Sequence, residues 1–143
     1  MEIINNIRHR NLVVLRGCCV ANDDLEGHQR FLIYDFSPNG SLDDHIFGRE
    51  SKLPLSWPQR KNIVLGTAKG LAYFHYGVQS AIYHRDIKAT NILLDADLNA
   101  CVSDFGLARM SLEGEPHLTT RVAGALYGQL TEKSDVHSFG VVL

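Results

Sequence analysis

Apolar residues form one long helical stripe near the middle of the chain. The stripe follows the loop Leu53–Pro58 and continues to about Tyr76. It begins at Val64 and continues four, seven, eight and eleven positions later with Ala68, Leu71, Ala72 and His75. Recurrence at this spacing predicts an amphipathic helix about 30 Å long. Ser56 and Gln59 have the spacing of a capping box, which predicts that the helix begins just after Ser56.

Two apolar segments near the start of the chain predict a β-hairpin. Strands are expected over Val13–Val20 and Arg30–Phe36, because the intervening segment Asn22–His28 is polar and contains a glycine. Before them, the isoleucines of Glu2–Arg8 form one apolar stripe, which predicts the end of a helix.

A second hairpin and a short helix are expected later in the chain. The apolar segments Ile92–Leu94 and Cys101–Ser103 flank the polar turn Asp95–Asn99. Ser41 and Asp44 have capping-box spacing directly after a Pro-Asn-Gly turn, so a short helix should begin there. The elements together predict a chain of mixed α and β structure.

Composition excludes several classes of protein. The 143 residues are 45% hydrophobic and 21% charged with a net charge of −2, so no basic surplus indicates nucleic-acid binding. No apolar run of about 18 residues predicts a membrane helix, and no signal peptide is recognisable. Cys18, Cys19 and Cys101 cannot all pair, the adjacent Cys18 and Cys19 would form a poor disulfide, and none has the spacing of a zinc site, so a reduced, intracellular chain is the simplest interpretation.

The candidate chemistry lies in two short motifs, His84–Asn91 and Asp104–Gly106. The first has the form His-Arg-Asp-x-Lys-x-x-Asn and the second is Asp-Phe-Gly. Eight such residues at fixed positions arise by chance on the order of once in 10^10 starting positions. Either motif alone is most often a turn or a solvated loop, but their occurrence together in this order disfavours that interpretation.

The two motifs resemble the catalytic loop and the magnesium-binding turn of eukaryotic protein kinases. The resemblance implies that Asp86 orients or accepts the proton of a substrate hydroxyl, and that Lys88 neutralises the transferring γ-phosphoryl group. It also implies that Asn91 and Asp104 hold Mg²⁺, an ion that prefers oxygen ligands. The expected cofactors are therefore ATP and Mg²⁺, with Asp86, Lys88 and Asn91 as the catalytic residues.

The same resemblance implies a nucleotide pocket. Tyr34 would stand behind the adenine, although a plain core tyrosine is compatible with that position. The backbone of Asp35–Asn39 would contact the adenine edge, Leu93 would form the pocket floor, and Lys88 would face the phosphates. The expected cofactor-binding residues are Tyr34, Asp35, Phe36, Ser37, Leu93 and Lys88.

A regulatory segment is implied after the second motif. Leu107–Arg121 matches the activation segment of kinases, and Arg85 precedes the catalytic aspartate. Kinases with that arginine often need a phosphate in this segment to neutralise it, and Thr119 and Thr120 are candidate acceptors. An exposed polar loop without this role is the equal alternative for both threonines.

Further segments are similar to the plant receptor-like serine/threonine kinase family: His9–Val13, Gly40–Leu42, Leu55–Arg60, Gly70–Tyr73 and Ser134–Gly140. Members phosphorylate protein serine and threonine, and their kinase domains usually lie on the cytoplasmic side of a membrane anchor. The resemblance implies protein substrates, receptor or co-receptor kinases as partners, and membrane attachment only through segments absent from this chain. It also implies that Asp135 hydrogen-bonds the catalytic-loop backbone.

The resemblance finally implies an incomplete α+β kinase-like fold. Residues 1–36 would end the N-lobe with its fourth and fifth strands, 37–40 would be the hinge, and 41–143 would be the mainly helical first half of the C-lobe, truncated in helix F. The Gly-rich loop, a strand lysine and a helix glutamate would precede Met1, and roughly nine residues of the family pattern are missing between Gly124 and Ala125. We expect no kinase activity from the chain alone; a non-catalytic binding fragment or an unstable remnant is the alternative.

Overall fold

The computed structural model describes residues 7–23, 27–48, 54–110 and 131–143, as helices and small antiparallel strands. The predicted N-terminal helix end lies mostly outside these residues, and Ile7 and Arg8 are not helical. The predicted deletion point between Gly124 and Ala125 also lies outside them. No helix in the described part of the chain is both long enough and apolar enough to cross a bilayer.

Strands β1 (Leu15–Asp23) and β2 (Gly27–Tyr34) form the expected hairpin, with Leu15 paired to Tyr34 at its base. The predicted strand limits were wrong at both ends: pairing extends into the polar segment Asn22–His28 and β2 stops two residues before Phe36. The reason is that an antiparallel ladder is held by backbone groups, which every residue carries regardless of its polarity.

Helix α2 (Trp57–Tyr76) begins directly after Ser56, as its capping box predicts, and ends at Tyr76; the predicted loop Leu53–Pro58 was therefore two residues too long. Its buried face differs from the predicted stripe, because Ala72 is exposed and Val64 and Ala68 are only partly buried. Gly66, Thr67 and Gly70 are buried although an apolar count ignores small and polar residues. The full set of buried residues is Ile63, Gly66, Thr67, Gly70, Leu71, Phe74 and His75. Gly66 and Gly70 therefore lie on the face of α2 that contacts β5 (Ala100–Val102).

Two glycines let α2 lie close to its neighbours. A Cβ atom on Gly66 would lie 2.8 Å from Nδ2 of Asn11, and a Cβ atom on Gly70 would lie 2.8 Å from the backbone oxygen of Asn11. Both distances are shorter than van der Waals contact, so the close approach requires glycine at these positions.

The second hairpin consists of β4 (Ile92–Leu94) and β5, so the predicted second strand was one residue late. Val102 also exchanges backbone hydrogen bonds with the connector before β1: its N–H donates to Asn11 O and its carbonyl accepts from Val13 N, both at 2.9 Å. The hairpin, the connector and α2 thus share one core. Its first cluster is Leu12, Leu71, Phe74, Ile82, Ile87, Val102 and Phe105. A second cluster adjoins α1 (Leu42–Ile46).

Both capping boxes are confirmed. At α1, Ser41 N donates to Asp44 Oδ2 (2.8 Å) and Asp44 N donates to Ser41 Oγ (3.3 Å). At α2, Ser56 N donates to Gln59 Oε1 (2.8 Å).

A short two-stranded ladder, which no sequence pattern predicted, brings together the two ends of the segment that carries both motifs. Strand β3 (Ile82–Tyr83) pairs antiparallel with β6 (Arg109–Met110), on either side of the segment that carries both motifs. Two-residue strands have no periodicity to detect. The last helix, α3 (Glu132–Val142), approaches the first motif through Asp135.

Candidate active site

The side chains of Lys88 and Asn91 both lie within hydrogen-bond distance of Asp86. Lys88 Nζ is 2.8 Å from Asp86 Oδ2, and Asn91 Nδ2 donates to Asp86 Oδ2 (3.0 Å) and to Asp86 O (2.8 Å). A single 3₁₀ turn over Ala89–Asn91 folds the chain back and brings the amide to the carboxylate. The three residues predicted to be catalytic are therefore together in space.

The hydrogen bonds at Asp86 keep its carboxylate ionised. The bond from Lys88, assisted by the amide of Asn91, holds the pKa of Asp86 below its ordinary value although partial burial opposes this. The same pair raises the pKa of Lys88. Because both groups are partly exposed, the ion pair adds little stability and mainly orients the two side chains.

Asp135 anchors the start of this loop from α3. Its carboxylate, only 1% exposed, accepts hydrogen bonds from the backbone N–H of Arg85 (2.7 Å) and His84 (2.8 Å), and from Nε2 of His75 on α2 (2.9 Å). Burial by itself would raise the pKa of Asp135, but the bonds from His75, Arg85 and His84 outweigh it and lower that pKa. The bond from Asp135 to the loop backbone was predicted, whereas the hydrogen bond between His75 and Asp135 was not. A histidine on the apolar face of a predicted helix was the feature of the sequence that indicated a buried polar partner.

Arg85 is held in an unusual backbone conformation. Its φ angle is +73°, in the left-handed region that costs a non-glycine residue energy, and the bond to Asp135 stabilises this geometry. Its guanidinium donates to Leu107 O (3.2 Å), while its buried Nε has no partner among the described residues. Thr119 and Thr120 lie outside the described residues, so their relation to Arg85 stays a prediction.

His84 connects the first motif to the second. Its Nε2 donates to Ser103 O (2.9 Å) and its Nδ1 accepts from Asp86 N (3.3 Å), which sets the tautomer. Burial lowers the pKa of His84, so the ring is neutral. The ring also packs edge-on against Phe105, with centroids 5.7 Å apart.

Asp104 begins the second motif with φ +61°, and its Oδ1 accepts from Gly106 N (3.3 Å). Its charge helps to raise the pKa of Lys88, behind the larger effect of Asp86, and of Tyr34, behind the larger effect of burial. Asp104 is therefore electrostatically coupled to the first motif and to the end of β2.

Asn91 and Asp104 offer oxygen donors of the kind that a hard divalent cation prefers. Asn91 uses Nδ2 to bond Asp86, which leaves its amide oxygen for a metal, and Asp104 adds carboxylate oxygens. No cluster of three or more His, Cys, Asp or Glu side chains suited to a metal occurs among the described residues. Few protein ligands complemented by phosphate and water are the usual arrangement for Mg²⁺.

The residues predicted to bind nucleotide are only partly brought together. Asp35, Phe36 and Ser37 line a cavity of about 270 Å³, and its other lining residues are His9, Arg10, Leu12, Val13, Val14, Asp95 and Cys101. Tyr34 and Leu93 are half-buried and do not line it.

The N–H of Asp35 is already used, since it donates to Val14 O (3.1 Å). Its carboxylate forms a two-bond ion pair with Arg16, with Nε to Oδ1 at 2.6 Å and the second N–H to Oδ2 at 2.9 Å. This pair was not predicted. The structure therefore ties the backbone of Asp35 to Val14, just before β1, and its side chain to Arg16 in β1.

Comparison with known proteins gives consistent matches over the whole chain. A family model described as "Protein tyrosine and serine/threonine kinase" matches residues 1–143. A probable receptor-like protein kinase of Arabidopsis thaliana is 66% identical, and a probable LRR receptor-like serine/threonine-protein kinase of the same plant is 57% identical. Each alignment covers 100% of this chain and 24% of the relative. A cysteine-rich receptor-like protein kinase of Arabidopsis thaliana is 47% identical over 100% of this chain and 23% of its own length. The chain thus spans about a quarter of the length of these curated relatives.

The alignments are longer than the chain. The first two run over 154 and 152 positions for 143 residues, an excess of 11 and 9. These relatives therefore contain residues that have no counterpart inside this chain.

Proposed function

The chain belongs to the protein tyrosine and serine/threonine kinase family, and from that premise we propose that it is part of a receptor-like serine/threonine kinase domain. The proposed reaction transfers the γ-phosphoryl group of ATP to serine and threonine hydroxyls of proteins. The observation that carries the proposal is the ionised Asp86 carboxylate, held by Lys88 and Asn91 on a loop that buried Asp135 anchors.

Asp86 is the residue that receives the substrate hydroxyl. Its lowered pKa leaves it a hydrogen-bond acceptor at neutral pH, so it can orient the hydroxyl oxygen for in-line attack and take up the proton. Lys88 keeps a full positive charge beside it and can stabilise charge on the transferring phosphoryl group. Phosphoryl transfer depends mainly on such positioning and charge stabilisation.

Asn91 and Asp104 would hold Mg²⁺, and Tyr34, Asp35, Phe36, Ser37 and Leu93 would contact the nucleotide. When bound, Mg·ATP supplies the phosphoryl group and neutralises its charge. The amide oxygen of Asn91 is oriented for this role because its Nδ2 is fixed on Asp86. Asp35 N, Asn39 N and Ser37 O already form backbone hydrogen bonds, with Val14 O, Leu94 O and Gly40 N, so contact with adenine would fall to the other backbone groups of 35–38.

Regulation, partners and place in the cell follow from the same proposal. Phosphorylation of Thr119 or Thr120 would supply an anion for Arg85, whose buried Nε has no partner among the described residues. Protein substrates and receptor or co-receptor kinases are the proposed partners. The domain would work at the cytoplasmic face of the plasma membrane through other segments of a full-length receptor-like kinase. In the proposed kinase domain, residues 1–36 belong to the N-lobe, 37–40 to the hinge and 41–143 to the C-lobe.

A second candidate is a non-catalytic binding role for the chain as it stands. The excess alignment positions support it, because the resemblance implies that residues of the substrate platform are missing between Gly124 and Ala125, and a gap there would account for the excess. A chain without that platform can retain the anchored loop and still lack an ordered acceptor site.

A chimera separates these possibilities. The 143 residues replace the matching segment of the 66% identical relative, in one version as they stand and in a second with that relative's extra residues restored between Gly124 and Ala125. Asp86→Asn in the active version should lower turnover by about 10²–10⁴-fold and leave nucleotide affinity nearly unchanged. Asp97→Asn, in an exposed turn, is the matched control. Undiminished turnover by Asp86→Asn would refute the kinase assignment of the site. Activity only in the restored version would favour the binding role for the present chain.

A further inference from the structure

Ser103 makes three hydrogen bonds that connect the two motifs. Its N–H and its Oγ both donate to the carbonyl oxygen of Asn91, at 2.9 Å and 3.0 Å, and its own carbonyl accepts from Nε2 of His84 at 2.9 Å. The next residue in the chain is Asp104. Ser103 therefore lies between the two residues proposed to hold the metal, and is bonded to one of them and covalently joined to the other.

The hydroxyl bond is additional to what strand pairing requires. The β4–β5 ladder ends at Ile92 opposite Val102, and the N–H of Ser103 extends it by one step to Asn91. Any residue except proline could supply that N–H. The second bond to the same oxygen needs a side-chain donor of hydroxyl length at position 103, and a carbonyl has two lone pairs to accept both.

Hydrogen bonds hold the backbone N–H, the side-chain N–H₂ group and the backbone carbonyl of Asn91. Its N–H donates to Lys88 O (3.0 Å), its amide donates to Asp86, and its carbonyl accepts twice from Ser103. Within the part of the chain that the structure describes, Asp104 has less support, because its side chain accepts one bond at 3.3 Å and its backbone is left-handed. The position of Asp104 relative to Asn91 thus depends strongly on the residue between them.

We infer that Ser103 is a positioning residue whose hydroxyl sets the spacing between the amide oxygen of Asn91 and the carboxylate of Asp104. The inference rests on the proposed function, since that function assigns the metal to these two residues. An ordinary strand-end hydrogen bond that only adds stability is the competing explanation. The two explanations differ in whether metal affinity changes beyond any change in stability.

Binding of Mn²⁺ to the full 143-residue chain tests the inference. Binding is measured as the loss of the electron paramagnetic resonance signal of the free ion. Ser103→Ala should raise the dissociation constant about three- to tenfold, the equivalent of one ordinary hydrogen bond. Ser103→Thr, which keeps the hydroxyl, should stay within about twofold of the wild type. Ser56→Ala is the matched control, because it removes a serine hydroxyl that bonds Gln59 at the start of α2. It should lower stability without changing Mn²⁺ affinity.

A double variant tests whether the effect passes through Asn91. In an Asn91→Ala background, Ser103→Ala should cause no further loss of Mn²⁺ affinity. A full additional loss would overturn the proposed route. An unchanged Mn²⁺ affinity in Ser103→Ala itself, accompanied by lower stability, would establish the purely structural explanation and overturn the inference.

A metal-free measurement separates failure of this inference from failure of the proposed function. Removal of the Ser103 hydroxyl should speed hydrogen exchange of the Asn91 side-chain amide by about three- to tenfold in nuclear magnetic resonance spectra. Unchanged exchange would overturn the positioning role. Faster exchange in a chain that binds Mn²⁺ neither alone nor with ATP would support the positioning role and refute the metal assignment.

Discussion

Replacement of Asp135 by alanine should be among the most damaging single changes in the chain. The carboxylate is buried and accepts three hydrogen bonds, from Arg85 N, His84 N and His75 Nε2. Its removal leaves two buried donors and one partly buried donor without that acceptor, and frees the backbone of Arg85 from its left-handed conformation. The loop that carries Asp86 should loosen as a result.

The size of the loss follows from the number of donors and their burial. Each unsatisfied buried donor costs about 1–3 kcal/mol. Part of this is offset because the buried charge and its desolvation penalty disappear as well, so a net loss of about 3–5 kcal/mol is expected. A domain of ordinary stability has about 5–15 kcal/mol in total. Asp135→Asn keeps one acceptor oxygen but places an N–H₂ group near donors, so it should cost about 2 kcal/mol.

The assay is urea unfolding at neutral pH, followed by circular dichroism, together with hydrogen exchange of the His84 and Arg85 amides. Asp97→Ala removes a carboxylate from an exposed turn residue and is the matched control, with an expected change within about 0.5 kcal/mol. A loss below about 1 kcal/mol for Asp135→Ala, with protected amides at His84 and Arg85, would refute the reasoning.

Three further predictions test the core, the pH response and the metal. Gly70→Ala should destabilise the chain by about 1–3 kcal/mol in urea unfolding because its Cβ would meet the Asn11 carbonyl, whereas Gly140→Ala, with open space around it, should stabilise α3 by up to about 1 kcal/mol. Equal effects of the two substitutions would contradict this packing argument. Because burial lowers the pKa of His84, the unfolded chain binds that proton first as pH falls; stability should decline from about pH 6.5 downward, and His84→Gln should flatten the decline. An unaltered slope in that variant would assign the decline elsewhere. Asp104→Ala should weaken Mg²⁺-dependent ATP binding in the restored chimera, and a calorimetric titration with unchanged affinity would exclude Asp104 as the main ligand.

Local patterns determined several elements from the sequence alone. The helix over Trp57–Tyr76, its capping residues and both hairpins depend on interactions between residues a few positions apart, which periodicity and turn chemistry describe. The grouping of Asp86, Lys88 and Asn91 belongs to the same class, since all three lie within one turn of chain. Their identity and spacing were therefore enough to predict that they meet.

Errors occurred where packing outweighed periodicity. The buried face of α2 includes Gly66 and Gly70, because close approach to Asn11 stabilises the helix at positions that an apolar count treats as empty. The β1–β2 hairpin extends past its apolar residues because its backbone groups continue to pair. The β3–β6 ladder was missed since its strands are too short to form a pattern.

Only the tertiary structure decided how the candidate site is held. His75 and Asp135 are 60 positions apart and meet inside the protein, where a carboxylate is stable only because three donors converge on it. Ser103 and Asn91 meet 12 positions apart because the β4–β5 hairpin aligns them. The sequence indicated which groups are candidates for the chemistry, since the residues and short-range spacing of the two motifs are written directly in the order of residues. The fold decided which distant groups hold them in place, because such contacts depend on how the helices and strands pack.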